Sequence, residues 1–285
     1  MTKTSDTALE KNRTEGFLTS YIVELLFAGH PYDDLEQVAA SLEGFEKAPA
    51  EHRTGLTLIR KGDSWNPDET PRWVLAPDVR PWSQHRYHEA VGQSWSWSDA
   101  AVALEQCGTA WILADRRATG LPYRERLENL NQVLASVVRV MNPRALHWSP
   151  TEQLVDPTAF AHAFGVEGGS TLFGAVNIRL FTIEEYEDGA PLEAPEMIMD
   201  TLGLSALGLD DLQVHFRNLQ PEEVGHFLYN AAHFVFEKGA VIKGGDTLRG
   251  TDGHPWKCEY ENALVDPQRV VIDFNPGEKF AGGNR

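Results

Sequence analysis

The sequence has little of what would assign it to several large classes of protein. Its 285 residues include only two cysteines, Cys107 and Cys258, which are too few for a disulfide framework. An apolar or aromatic residue stands within three positions of each, Leu104 and Trp256, so we expect buried free thiols. No run approaches the roughly 18 apolar residues of a membrane-spanning helix, and the start of the chain lacks the apolar stretch of a secretory signal. We therefore expect a cytoplasmic protein that does not enter a membrane.

Familiar catalytic motifs are also missing. The chain has no Cys-x-x-Cys pair and no His-Glu-x-x-His motif, so two common metal and redox signatures are absent. Residues 168–172 resemble a nucleophile elbow but lack its second glycine. Residues 203–208 are not followed by the Lys-Ser/Thr pair of a phosphate-binding loop. These absences argue against serine hydrolase and nucleotide hydrolase chemistry, and we expect no cofactor and no resident metal.

Basic residues are scarce, and the imbalance lies in the second half. Residues 1–150 carry 16 basic and 20 acidic residues, whereas residues 151–285 carry 9 and 22, within a net charge of −17. Such a field repels nucleic acid and anionic membranes and attracts basic proteins. The simpler interpretation is that the acidity maintains solubility. The acids are densest in one stretch, Glu184, Glu185, Glu187, Asp188, Glu193 and Glu196.

Hydrophobic periodicity predicts an α+β fold, with mixed or antiparallel sheets and helices packed on one face, arranged as two similar α/β sandwich modules. The expected modules are residues 17–150 and 151–275. A disordered tail of residues 1–16 precedes them, and a flexible tail of residues 276–285 follows.

Each module contains one long amphipathic helix, predicted over residues 122–141 and 220–238, and Gly239 ends the second. Shorter helices are predicted over residues 33–42, 98–106 and 156–164. Strands are predicted over residues 20–28, 54–59, 73–75, 109–114, 145–148, 172–181, 197–203, 212–216, 256–261 and 270–274, and around Val241. Residues 77–92 contain several prolines and glycines, which predicts irregular structure.

Two features offer structural or binding roles. Trp95 and Trp97 alternate with serines, so in a strand both rings would lie on the same side. Exposed, they would anchor a partner; buried, they would belong to the core. The turn formed by Gly245, Asp246 and Thr247 combines a glycine suited to positive φ with an aspartate that can bind backbone amides two residues later.

A small acid and histidine cluster is the alternative functional site. His226 and His233 are seven residues apart and lie near one face of the long helix. Asp246 and His254 would join them if the following turn folds back. Imidazole and carboxylate groups are zinc ligands, so this group predicts a metal-dependent hydrolase, whereas isolated boundary histidines would carry no such role.

The residues from Met199 to Asp273 resemble the bacterial family catalogued as domain of unknown function 4261. The resemblance is carried by Leu202-Gly203-Leu204, Gly208-Leu209, Tyr229-Asn230, Gly239, Gly245-Asp246-Thr247, Gly250 and Val270-Val271-Ile272-Asp273. It implies a compact α+β fold and a cytoplasmic bacterial setting, with a loose association to secretion or toxin–immunity proteins. It implies no activity.

Two hypotheses follow from the sequence. The first is a non-catalytic binding protein, similar to an immunity or adaptor protein, whose acidic second half engages a basic protein partner. The second is the metal-dependent hydrolase. The scarcity of catalytic motifs favours the first, in which the protein is not an enzyme.

Overall fold

The computed structural model describes residues 20–31, 35–49, 55–165, 169–183, 186–187, 190–191 and 195–283, the two dipeptides by their backbone alone. These residues form two compact units, and the division falls between Asn177 and Ile178. We call residues 19–177 the N-terminal unit and residues 178–285 the C-terminal unit. The predicted division at residue 150 lies within the 3₁₀ turn Ser149–Thr151, inside the N-terminal unit. The predicted disordered tail, residues 1–16, lies outside the described residues.

The N-terminal unit is built on a seven-stranded antiparallel sheet with the order β2-β3-β4-β5-β1-β6-β7. Its strands are β1 (Ile22–Phe27), β2 (Phe45–Lys47), β3 (Leu56–Arg60), β4 (Arg72–Pro77), β5 (Thr109–Arg116), β6 (Ala145–Trp148) and β7 (Gln153–Val155). Its helices are α1 (Leu35–Ala40), α2 (His88–Gly92), α3 (Ala100–Glu105), α4 (Tyr123–Met141) and α5 (Pro157–Gly165).

Helices cover both faces of this sheet. On one face, Leu26 and Ala110 share a core cluster with Leu104 of α3. Asp115 lies five residues beyond Ala110 on the same strand, so its side chain points to the opposite face. There it pairs with Arg126 of α4, which places the long helix on that side. The predicted α+β class is confirmed, and short helices cover a second face in addition to the predicted one.

The C-terminal unit contains a six-stranded mixed sheet with the order β13-β14-β15-β12-β11-β8. Its strands are β8 (Asn177–Ile183), β11 (Glu196–Leu202), β12 (Asp211–Phe216), β13 (Thr247–Arg249), β14 (Pro255–Asn262) and β15 (Val270–Asn275), and the two-residue strands β9 (Tyr186–Glu187) and β10 (Ala190–Pro191) pair separately. β12 and β15 are parallel, and they are connected through helix α6 (Pro221–Lys238).

Helix α6 covers one face of this sheet. The apolar stripe predicted from the sequence is buried at Val224, Leu228 and Val235. The Phe227 ring lies 4.9 Å from that of Trp256 on β14 and 5.1 Å from that of Phe274 on β15, between ring centroids. Alternation along β12 and β15 therefore directs a second set of side chains away from α6.

Three predicted segments differ in the structure. Residues 77–92 are predicted to be irregular, but they contain a 3₁₀ turn at Gln84–Tyr87 that continues into α2. The strand predicted over residues 172–181 begins only at Asn177, because Gly174 has a φ of +85° and lies against the Trp148 ring. No strand forms at Val241; the strand of that region is β13 instead.

The end of the chain is also more structured than the flexible tail predicted from residue 276. The N–H of Arg217 donates to the carbonyl of Phe280 at 2.8 Å, and the N–H of Gly282 donates to the carbonyl of His215 at 3.0 Å. Ala281 is buried and bridges to Phe216. Residues 280–283 thus lie along the end of β12.

We expect Gly250→Ala to destabilise the C-terminal unit. A Cβ at this position would come within 2.1 Å of the fully buried Trp256 ring, and overpacking of this kind costs about 1–3 kcal/mol. Urea unfolding measures the difference. Gly120→Ala is the control, because its Cβ would meet nothing within 4 Å. Equal midpoints for the two variants would contradict this packing.

Candidate functional site

Most of the predicted acidic surface lies outside the described residues. This applies to Glu184, Glu185, Asp188 and Glu193. Glu187 is described by its backbone, which pairs with Ala190 between β9 and β10. The stretch of chain that contains these acids therefore connects β8 to β11, which are neighbours at one edge of the sheet.

Glu196 is not part of that surface, because it lies inside the C-terminal unit. It begins β11 and is buried. Its Oε2 lies 3.0 Å from Nε2 of His215 and accepts a hydrogen bond of 2.7 Å from the N–H of Gly283. Gly282 packs so closely on the His215 ring that a Cβ would come within 2.3 Å of it. Glu196 therefore helps to hold residues 280–283 against β12.

Trp95 and Trp97 occupy a turn, so their side chains do not share one face of a strand. The Trp95 side chain is 56% exposed. Trp97 is partly buried against the core cluster that contains Leu104. The two tryptophans thus divide between surface and core, which the sequence alternation could not indicate.

The structure does not gather the proposed metal ligands. His226 is exposed on α6. The ring of His233 packs 4.5 Å from that of Tyr229, and burial lowers the pKa of His233 against the opposing effect of Glu237. Across the described part of the chain, no group of three or more histidine, cysteine, aspartate or glutamate side chains could hold a metal ion.

The other two members of that set each have a partner nearby in the sequence. Nδ1 of His254 lies 3.1 Å from Oδ2 of Asp252, and His254 is mostly exposed. The Asp246 carboxylate accepts a hydrogen bond of 2.9 Å from the N–H of Lys243, three residues earlier, instead of from an amide two residues later. Gly245 has a φ of +94°, and the carbonyl of Asp246 accepts the N–H of Cys258 at 2.9 Å. This turn fixes Thr247 as the first residue of β13.

A buried ionic network fills the face of the C-terminal sheet that points away from α6. Arg179 binds both carboxylate oxygens of Asp200, with distances of 2.9 and 2.7 Å. Arg269 donates to Oδ2 of Asp200 at 2.7 Å and to Oδ2 of Asp211 at 2.9 Å. Both aspartates are completely buried. Two arginines on β8 and beside β15 thus tie together β11 and β12.

Neutral groups complete this network. Oδ1 of Asp211 accepts the hydroxyl of Thr201 at 3.1 Å and the N–H of Leu204 at 3.0 Å. Nε2 of Gln213 donates to Asp273 at 3.0 Å. Burial lowers the pKa of Arg269, but its two aspartate partners outweigh that effect and raise it. Arg269 therefore keeps its charge, and the two arginines offset the two aspartates that they bind, Asp200 and Asp211.

The N-terminal unit has a second network, centred on Glu24 of β1. Its carboxylate accepts the Tyr87 hydroxyl at 2.6 Å and Nη2 of Arg80 at 2.8 Å. Nδ1 of His147 lies 3.8 Å from Oε2 of Glu24, which is too far for a hydrogen bond. Burial acts to raise the pKa of Glu24, but His147, Tyr87 and Arg80 together lower it to about 2. Glu24 is thus a permanently ionised group at neutral pH.

Asp78 extends this network to the surface. It accepts Nε of Arg80 at 2.9 Å and Nη1 of Arg86 at 3.0 Å. Burial again opposes ionisation, but the two arginines lower the pKa of Asp78 to about 2. The alternating charges of the network fix the segment after β4 against the sheet.

Neither of these two ionic networks was predicted from the sequence. The only local signal is a single acidic residue inside an otherwise apolar strand, such as Glu24 in the run of residues 20–28. A carboxylate in such a position needs a cation or several donors. The sequence does not show which cation, since Arg80 lies 56 residues away and Arg269 lies 69 residues from Asp200.

The geometry describes an α+β protein of two sheet-and-helix units, each with a buried aspartate–arginine pair. Within the described residues, no helix is both long and apolar enough to span a bilayer. Residues 200–275 match the family described as Domain of unknown function (DUF4261), which confirms the predicted resemblance over that segment. Searches of curated proteins and of solved structures found no match.

We expect Arg269→Met to destabilise the C-terminal unit by about 3–5 kcal/mol, because it leaves Asp211 buried without its cation. Urea unfolding measures this loss. The double variant Arg269→Met with Asp211→Asn also removes the stranded charge and keeps an oxygen that can accept from Leu204, so it is expected to be more stable than the single variant. A double variant that is less stable than Arg269→Met would contradict the assignment.

Glu24 is expected to contribute to acid sensitivity. Its folded pKa of about 2 lies below the ordinary 4.5, so its stabilisation is complete above about pH 4.5 and is lost as the pH falls toward 2. Glu24→Gln is expected to lower stability at pH 7 and to weaken the pH dependence in that window. Glu105→Gln, at an exposed site, is the control. Identical pH profiles for wild type and Glu24→Gln would refute this assignment.

Proposed function

We propose that the protein is a non-catalytic binding protein that engages a basic protein partner through the acidic segment, which we define as residues 184–193. One observation carries the proposal: the strongly buried acids of the C-terminal unit do not contribute to its surface, whereas the acidic segment contains five acids and no basic residue. An adaptor or an immunity protein would use such a segment in this way.

The charge of the C-terminal unit separates into three parts. Residues 178–285 contain 19 acidic and 9 basic residues. Five of the acids are buried, and two arginines are paired with them: Glu196, Asp200, Asp210, Asp211 and Asp273, with Arg179 and Arg269. This internal part is unavailable to a partner.

The remaining described surface of the unit is closer to balance. It carries nine acidic side chains, Glu222, Glu223, Glu237, Asp246, Asp252, Glu259, Glu261, Asp266 and Glu278. Against them stand six basic ones, Arg217, Lys238, Lys243, Arg249, Lys257 and Lys279. Nine negative and six positive side chains give this part a net charge of −3, which is spread over the unit. The acidic segment carries −5 within ten residues and is therefore the densest source of negative charge.

Such a density of charge favours a basic partner for a physical reason. Opposite charges steer encounter and raise the association rate, and like-charged competitors are repelled. Because exposed charges are screened beyond about 8 Å at physiological ionic strength, the attraction acts locally at the segment. We therefore propose specificity for a basic surface and a binding rate that falls with added salt.

We also propose a cytoplasmic setting for this binding. Cys107 and Cys258 are both buried free thiols, and burial raises the pKa of Cys107 to about 11 and that of Cys258 to about 12. Unpaired thiols suit a reducing compartment.

Affinity purification with mass spectrometry tests the binding function. The test variant replaces the five acids of the segment by their amides, at Glu184, Glu185, Glu187, Asp188 and Glu193. We expect wild type to retain a basic protein at low salt. The variant is expected to retain at least about tenfold less of that protein.

A matched control removes five charges elsewhere on the same unit, at Glu222, Glu237, Glu259, Asp266 and Glu278, all of which are exposed. We expect this control to retain the partner. Equal losses in both variants would attribute retention to net charge alone and would contradict a role for the segment, as would retention by the segment variant.

A further inference from the structure

The open edge of the C-terminal sheet offers backbone hydrogen bonds to an added strand. β13 is the last strand in the order and pairs on one side with β14, with Leu248 opposite Trp256. Hydrogen bonds link Asp246 with Cys258 and Gly250 with His254 on that side. Because inward and outward groups alternate along an antiparallel strand, the N–H and C=O groups of Thr247 and Arg249 point outward, away from β14.

An apolar surface lies beside this edge, on the face that carries α6. Phe234 and Val241 are 46% and 44% exposed. With Ile242, Leu248 and the more polar Gly245, Asp246 and Thr247, they line an open cleft of about 560 Å³ that ends at β13. A single large side chain from an added strand, placed opposite Leu248, would enter this cleft.

The opposite face of the same edge is basic. Thr247 pairs with Lys257 across the ladder, so both side chains share a face with Arg249. Lys257 and Arg249 form no ion pair with any acid in the described part of the chain. Glu259 follows Lys257 on that face but does not lie within ion-pair distance of it. Two unpaired cations thus flank Thr247 within an otherwise acidic protein.

We infer that this edge, defined as β13 with the cleft and the two cations, binds an extended segment of the pattern acid–apolar–acid, and that the acidic segment of a second copy supplies it. Glu185-Tyr186-Glu187 has this pattern. In an extended strand Tyr186 opposite Leu248 enters the cleft, and the flanking acids alternate to the other face. One acid then lies opposite Arg249, and the other lies opposite Thr247 beside Lys257.

The two partners must come from different copies. The acidic segment connects β8 and β11, whereas β13 is at the other end of the sheet order. Four spacings of about 4.8 Å separate β11 from β13, and five separate β8 from β13, which gives roughly 19–24 Å across the sheet. Tyr186 lies three residues after Ile183, the last residue of β8, and three residues span at most about 11 Å. Tyr186 therefore cannot reach β13 of its own chain.

This contact rests on the proposed function, since it uses the same acidic segment, and it names one basic surface for that segment, the β13 edge of a second copy. Copies joined this way associate head to tail, with a free edge at one end and a free segment at the other. The net charge of −17 on each copy opposes association, so we expect it to be weak at low concentration.

A synthetic peptide of residues 182–194 provides a defined probe. Fluorescence anisotropy with the full chain is expected to show saturable binding that weakens between about 50 mM and 300 mM salt. The double variant Arg249→Glu with Lys257→Glu is expected to bind the peptide at least about tenfold less tightly. The control variant Lys61→Glu with Arg116→Glu reverses two exposed basic residues of the N-terminal unit and is expected to bind like wild type.

Charge exchange tests the contact independently of folding. A peptide with Glu185→Lys and Glu187→Lys is expected to lose binding to wild type and to regain it with the Arg249→Glu, Lys257→Glu chain. Restoration supports the proposed pairing. The inference is overturned if the original peptide shows no saturable binding below about 1 mM, if it binds the double variant as tightly as wild type, or if exchange restores nothing.

Failure of this contact and failure of the proposed function give different results. If the peptide does not bind but the full chain still retains a basic protein through the acidic segment, the self-contact alone is wrong. If the peptide does not bind, and if retention of basic proteins does not depend on the five acids, both proposals are wrong. Sedimentation velocity of the full chain then checks association directly, with the Arg249→Glu, Lys257→Glu chain expected to sediment as the slower species.

Discussion

The pairing of buried aspartates with arginines is the constraint on which the C-terminal unit depends. Asp200 and Asp211 occupy neighbouring strands in the interior of the sheet, where an isolated carboxylate is very costly. Arg269 joins them, and Arg179 completes Asp200 from β8. These contacts fix the order of four strands, and they also remove the central charges from any role at the surface. The surface of the unit that the structure describes is left with nine acidic and six basic side chains.

Local patterns were sufficient to predict much of the fold. The helical spacing of apolar residues identified α4 and α6 almost to the residue, and Gly239 marks the end of α6 because it adopts a positive φ. The strands β2 and β7 were missed because each has only three residues and is defined by its pairing. α2 was missed because prolines and glycines flank it, while tertiary packing of Tyr87 and Ala90 stabilises the helical turns.

The candidate site was less accessible to prediction, for a different reason. Composition does not distinguish a carboxylate on the surface from one inside a sheet. The prediction that Glu196 belongs to an acidic surface is therefore wrong, because Glu196 is buried. His226, His233, Asp246 and His254 are near one another in the sequence, yet local partners orient the last three and His226 is exposed. The cations of the β13 edge could not be recognised before β13 and β14 were paired, because Arg249 and Lys257 share a face only in that register.

The central claim is that a partner contacts residues 184–193 and not the rest of the acidic surface. The most direct measurement is carboxylate labelling in solution, read by mass spectrometry with and without the basic protein that the full chain retains. The account predicts that binding reduces labelling of Glu184, Glu185, Glu187, Asp188 and Glu193, while Glu222, Glu237 and Glu278 react unchanged and Asp200 and Asp211 resist labelling throughout. Protection at Glu222, Glu237 and Glu278, with none in the segment, would contradict it.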